Sequence, residues 1–217
     1  MYLSRLILNP HHRRVQRDLA NPYELHRTLM SAFPADLPDG ERVLYRLDTD
    51  PRTGVPTVLL QSHTAPDWAA LQSREGYLLP EPRWPPRVST NPATKSFDLA
   101  LVAGQVLSFR LRANPTVKRD GSRHGLYKEE DQRAWLARKG RRNGFRVVRV
   151  TVIQEGDDVA WRPHRNGKRR KLTFFAVCFD GLLQVTDPDA LWDAVQTGIG
   201  PAKSFGFGLL SLAPPPA

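Results

Sequence analysis

Cysteine and methionine are almost missing from this 217-residue chain, which has one of the first, Cys178, and two of the second. No disulfide can close within it, and Cys178, inside the apolar run "LTFFAVCF", reads as a small core residue. There is no stretch of about 18 apolar residues such as a membrane-spanning helix needs. The opening "MYLSRLILNP" alternates like a strand and lacks the unbroken apolar run of a signal peptide. The expectation is a soluble cytoplasmic protein with no membrane partner. Negative charge is scarce as well, because 22 Asp and Glu stand against 32 Lys and Arg, for a net charge of +10. That imbalance is the electrostatic footprint of a protein that meets a polyanion, and it makes nucleic acid the leading partner. The G-x-x-x-x-G-K-[ST] pattern is absent, and no strand leads through G-x-G-x-x-G into a helix. His11, His12, His26, His63, His124 and His164 show no metal-ligand spacing with the acids. No cofactor and no metal are expected.

The length suits two compact units of roughly 100 residues each. Leu3, Leu6 and Leu8 mark a buried first strand, and the basic stretch 9 to 20 reads as a loop. A helix follows from residue 22. "RVLYRLDT" (42 to 49) and "PTVLLQSH" (56 to 63) read as strands around the turn "DPRTG", "APDWAALQ" (65 to 72) as a short helix, and 75 to 79 as a further strand. That is the βαββαβ order of a ferredoxin-like domain over 1–79. "PEPRWPPRVSTNPATKSF", with five prolines, is expected to be a linker over 80–97. Beyond it, 98–217 repeats the pattern. It runs through a strand at 104 to 115, a helix at 128 to 140 and a strand at 145 to 155, then a hairpin turning at Asn166-Gly167, a helix at 187 to 198 and a closing strand in "FGFGLLSLA". The predicted fold class is α+β, with two tandem ferredoxin-like (RRM-like) domains. The second carries an extended basic β-hairpin and a glycine-rich C-terminal loop.

Three stretches carry candidate chemistry. In "NPYELHRTLM", Asn21 can cap a helix, Pro22 suits its first position, and Glu24 completes a capping box. Tyr23, His26 and Met30 then fall within roughly 60° of one another, beside an apolar face of Leu25, Leu29 and Phe33. In "RPHRNGKRRK", Arg162, Arg165, Lys168, Arg169, Arg170 and Lys171 crowd the hairpin tip, where like charges repel unless an anion sits among them. A cationic hairpin has the width to enter a nucleic-acid groove. Arg138, Lys139, Arg141 and Arg142 at the end of the 128–140 helix are placed either to extend that track or to meet the helix dipole. Arg110 and Arg112 on the alternating strand, and Lys118 beyond it, join the candidate nucleic-acid contacts. In "GIGPAKSFGFGLLSL", glycines around Lys203 let the backbone approach a phosphate closely.

Taken together, "YLSRLILNP", "RDLANPYELHRTL", "LSFRLRANP" and "GIGPAKSFGFGLLSL", in this order along the whole chain, resemble the CasE-type endoribonucleases of type I-E CRISPR systems, within the repeat-associated superfamily of tandem ferredoxin-like proteins. The resemblance implies metal-independent cleavage of precursor CRISPR RNA at the 3′ base of each repeat hairpin, leaving 5′-hydroxyl and 2′,3′-cyclic phosphate ends. It also implies retention of the product as a subunit of a surveillance complex. The partners so implied are the repeat hairpin and the other subunits. The family's tyrosine and histidine fall on Tyr23 and His26. His26 is expected as general acid and Tyr23 as the group that orients or deprotonates the 2′-hydroxyl. Some relatives carry a lysine where Met30 and Ser31 stand here, which leaves Arg27 or Lys203 to face the phosphate. The alternative within the superfamily is a guide-RNA-binding subunit without catalysis. An RRM-like RNA chaperone is disfavoured because no RNP1-like aromatic stretch is present.

Overall fold

The alternation in the opening segment becomes β1 (Tyr2–Ile7), with Ser4 and Leu6 turned fully inward. The structure, a computed structural model, describes residues 1–80, 90–164 and 167–216. After β1 come α1 (Arg13–Leu19), α2 (Pro22–Met30), β2 (Leu44–Thr49), β3 (Pro56–Ser62), α3 (Ala69–Gln72) and β4 (Ala93–Ser96). The strands form an antiparallel sheet in the order β2-β3-β1-β4, the ferredoxin-like arrangement. Val15, Leu25, Leu29 and Leu71 from the helices close over Leu6, Tyr45, Val58 and Leu60 from the sheet. Each such aliphatic side chain contributes roughly 1.5–3 kcal/mol by leaving water.

Two expectations for this half are corrected. The stretch 9 to 20 is not all loop, for it contains α1, which has only Val15 and Leu19 as an apolar signal among arginines. What holds α1 is a buried carboxylate: Asp18 accepts from Arg14 Nε at 3.1 Å, Thr28 Oγ1 at 2.7 Å and the Tyr77 hydroxyl at 3.0 Å. The strand expected at 75–79 is reduced to an isolated bridge between Leu8 and Leu78. The fourth place in the sheet goes instead to β4, inside the segment expected as linker, of which residues 81–89 lie outside the described residues. Asn91 pins the chain there, its amide donating to the carbonyls of Ile7 and Leu79 at 2.8 Å each. "ATKS" is a polar edge strand and shows no apolar alternation.

The second half runs β5 (Val106–Ala113), β6 (Thr116–Arg119), β7 (Ser122–Gly125), α4 (Glu129–Arg142), β8 (Phe145–Pro163), β9 (Arg169–Val185), α5 (Pro188–Thr197), a 3-10 turn at Lys203–Phe205, and β10 (Leu210–Ala213). Its main sheet, β10-β5-β9-β8, has the same order as the first, and β6–β7 is an inserted ribbon. A separate core forms where Trp135 and Leu136 of α4 and Leu191 and Val195 of α5 meet Phe109, Leu111 and Phe179.

The strands β8 and β9 continue pairing well past this core, as far as Pro163 opposite Arg169. The two-residue turn expected at Asn166-Gly167 falls partly outside the described residues. His164 donates its N–H to Lys168 O at 2.8 Å and Gly167 donates to His164 O at 3.1 Å, with Gly167 at φ +69°. Arg165 and Asn166 lie outside the described residues. Direct bonds join the halves: Gln61 donates its amide to Val195 O at 2.6 Å, and Arg46 donates to Ser211 Oγ at 2.8 Å.

Candidate active site and nucleic-acid interface

Helix α2 begins where Asn21 and Pro22 predict. The Asn21 carboxamide oxygen accepts from Tyr23 N at 3.3 Å. Glu24 does not close the expected capping box, because its carboxylate is held by Arg17 and Arg27, each at 3.4 Å. Instead Asn21 reaches into the second half. Its amide donates to Trp161 O at 3.0 Å, and its oxygen accepts from Trp161 N at 3.0 Å. One side chain thus starts the helix and fastens it to the basic ribbon 140 residues away.

Tyr23 and His26 are both half-buried on the exposed shoulder of α2. The guanidinium of Arg27 lies 6.0 Å from the centre of the Tyr23 ring. His26 stacks on Tyr45 with ring centroids 6.3 Å apart and planes 15° from parallel. Its Nδ1 is buried without a hydrogen-bond partner among the described residues. Burial lowers the imidazole's pKa below its ordinary value, since a charged ring there loses hydration.

In the sequence Tyr45 carries no signal beyond its place on the 42–49 strand. Its hydroxyl lies 3.3 Å from the carbonyls of both Pro22 and Ser204, so it bridges the start of α2 and the glycine-rich turn. Burial drives its pKa well upward and keeps the phenol protonated as a donor. Gly206 packs against this ring. It sits at φ +84°, and a Cβ there would come within 3.1 Å of Tyr45 Cε2.

The cations separate into those that are free and those that are spent. Arg162, Lys168, Arg169 and Arg170 are exposed on the ribbon with no ion pair among the described residues, Arg162 directly opposite Arg170. Lys118 and Lys203 converge with Arg123, Lys139 and Arg142 around Gly198 and Gly200. Burial and neighbouring cations lower the pKa of both Lys139 and Lys203. Lys203 also donates to Thr197 O at 2.6 Å, and the guanidinium of Arg27 lies 6.0 Å from the centre of the Tyr23 ring. Arg138 and Arg141 are exposed on α4, whereas it is Lys139 and Arg142 that turn toward this basic pocket.

Arg110 and Arg112, expected as RNA contacts, are ion-paired within the protein. They face a cleft between the two sheets lined by Asp48, Glu155, Asp158 and Asp180. Arg110 donates to both Asp180 oxygens at 2.7 and 2.8 Å. Arg112 donates to Glu155 at 2.6 Å and Asp158 at 2.9 Å, and lies 4.6 Å from the centre of the Phe207 ring. Both guanidiniums are bound by carboxylates, Arg110 by Asp180 on the paired strand β9 and Arg112 by Glu155 and Asp158 on β8 one strand further, and those carboxylates repel a phosphate. Strand alternation marked these arginines as facing one way but could not reveal the acids opposite them.

The fold and site define a tandem ferredoxin-like protein that sets a histidine and a tyrosine on one helix and ties that helix to a cationic ribbon. The model of a family described as CRISPR associated protein matches residues 1–214, and the chain belongs to that family. It is 40% identical over 225 residues to the CRISPR-associated endoribonuclease Cse3 of Thermus thermophilus, covering 99% of this chain and all of the relative. It is 37% identical over 230 residues to the CRISPR system Cascade subunit CasE of Escherichia coli K12, again across 99% of this chain and all of the relative. A solved structure of CRISPR endoribonuclease Cse3 bound to 19 nt RNA superposes with a TM-score of 0.84 at 39% identity, covering 99% of this chain and 100% of that one. Among the described residues no helix is long and apolar enough to cross a membrane.

Proposed function

We propose that this protein is an endoribonuclease that cuts precursor CRISPR RNA at the 3′ base of each repeat hairpin and then keeps the product as a subunit of a cytoplasmic type I-E surveillance complex. The observation that carries the proposal is the Asn21 clasp, which holds the helix of Tyr23 and His26 against the ribbon whose arginines suit a stem's phosphates. A-form RNA hides its bases in a deep, narrow major groove, so grip by shape and charge dominates.

The reaction is transesterification without a metal. The 2′-oxygen attacks the adjacent phosphorus as its proton leaves, the P–O5′ bond breaks, and the departing 5′-oxygen takes up a proton. The products are a 2′,3′-cyclic phosphate and a 5′-hydroxyl. Tyr23 orients or deprotonates the 2′-hydroxyl, and His26 supplies the proton to the leaving oxygen. Burial keeps the imidazole mostly neutral before RNA arrives. The negative phosphate then favours its protonated form. Arg27 stabilises charge on the equatorial oxygens.

The test is single-turnover cleavage of a labelled repeat hairpin in EDTA by wild type and His26→Ala, with binding measured in parallel. Cleavage by the wild type and slow cleavage at unchanged affinity by the variant support the reading. Binding without cleavage by either protein makes the chain a guide-RNA-binding subunit instead.

A further inference from the structure

A cleft of about 620 Å³ opens between the catalytic helix and the base of the ribbon, and of its lining the chemistry above uses only Arg27. Arg14, Arg17 and Arg27 form one wall, Trp161 and Arg169 the other, and Asn21 joins them. Trp161 leaves 42% of its surface open to water, although it is the largest type of apolar side chain. The arginines are ordered without being consumed. Asp18 and Glu24 hold them by one edge, while the side chains of Arg17 and Arg27 remain 52% and 61% exposed. The backbone that carries the indole is held by two bonds to Asn21.

An open aromatic face ringed by ordered guanidiniums is a platform for an unpaired nucleotide. The base stacks on the ring and the phosphate meets the cations. A paired stem has no use for it, because its bases are already stacked inside the helix. The proposed reaction, however, needs one nucleotide out of the helix. In A-form geometry the 2′-oxygen does not stand in line with the P–O5′ bond, so the strand must splay at the cleavage point before attack. A surface that receives the displaced base prepares that geometry in advance.

We infer that this cleft is a subsite for the unpaired nucleotide on the 3′ side of the scissile phosphate, with its base on Trp161 and its backbone between Arg17, Arg27 and Arg169. The inference rests on the endoribonuclease reading above.

The experiment is equilibrium binding of two repeat-hairpin RNAs, each with a 2′-deoxy nucleotide at the attacking position so that neither is cut. One continues into an unpaired 3′ flank and the other ends at the scissile phosphate. The wild type is expected to bind the flanked RNA about tenfold more tightly, Trp161→Ala to reduce that preference to about twofold or less, and Trp161→Phe to keep most of it. Full preference in Trp161→Ala, equal weakening of both RNAs by Trp161→Ala, or no preference in the wild type overturns the subsite. Hairpin recognition is read separately from the flankless RNA. If the wild type binds it without a gain from the flank, only the subsite falls, and if the wild type binds neither RNA, both readings fall.

Discussion

His26 lies nearly parallel to Tyr45, their planes 15° apart, and the Tyr45 hydroxyl touches the carbonyls of Pro22 and Ser204. The ring that sets the angle of the imidazole is thus anchored to the helix start and to the glycine-rich turn together. Tyr45→Phe keeps the stack and loses the anchor. Single-turnover cleavage is expected to fall by about tenfold, the equivalent of one hydrogen bond of roughly 1.4 kcal/mol, with RNA affinity unchanged. A loss of affinity as large as the loss of rate would show that Tyr45 serves binding instead.

The pH dependence separates acid from base. If His26 donates the proton, single-turnover rates fall as pH rises through the imidazole's pKa in the bound complex; if it removes one, they rise. The expected profile is the falling one. In the RNA-free protein the depressed pKa has a second effect. Above the ordinary imidazole value of about 6.5 nothing is lost, and as pH drops below it the unfolded chain takes up a proton more readily than the folded one, so stability declines. Urea melts across that range should show a smaller decline in His26→Gln.

Removing Arg169 and Arg170 together should weaken hairpin binding and make it less sensitive to salt, by about one unit of slope for each phosphate that the ribbon no longer neutralises. Cleavage of saturating RNA should fall less than binding does. Binding titrations at several salt concentrations measure the first effect and single-turnover rates the second. An unchanged slope would move the groove contact elsewhere.

Arg112 makes the opposite case. Its guanidinium is only 13% exposed and balances Glu155 and Asp158, so Arg112→Met strands two carboxylates. The expected loss of stability is on the order of 3 kcal/mol, with the salt slope of RNA binding unaltered in the folded fraction. A reduced slope would restore Arg112 as a phosphate contact.

Asp18 is wholly buried and receives three donors, from Arg14, Thr28 and Tyr77. Asp18→Ala leaves them unsatisfied and should cost on the order of 3 kcal/mol by denaturant unfolding. α1, which has little apolar surface of its own, should be the first element to lose amide protection in hydrogen exchange.

Where local chemistry decides the outcome, the sequence is readable. Asn21 and Pro22 start α2, and the charge gradient of "EEDQRAWLARKGRR" suits α4. It is unreadable where the deciding partner is distant. α1 depends on Asp18 meeting Tyr77, and β4 on Asn91 meeting Ile7. The site divides in the same way. Tyr23 and His26 share one helix face but take their expected roles from the family resemblance, whereas Tyr45, Trp161 and the ion-paired state of Arg112 arise from partners far along the chain.

The acid-lined cleft between the sheets has a consequence for encounter. Carboxylates converge inside the angle of the two sheets, while the cations that keep their charge unopposed are on the ribbon and around the glycine-rich turn. Already paired to Arg46, Arg110 and Arg112, those carboxylates cancel little of the ribbon's positive field, which draws an approaching hairpin to the ribbon before the surfaces touch. Where the acids sit therefore affects the rate of productive collision and not only the lifetime of the complex.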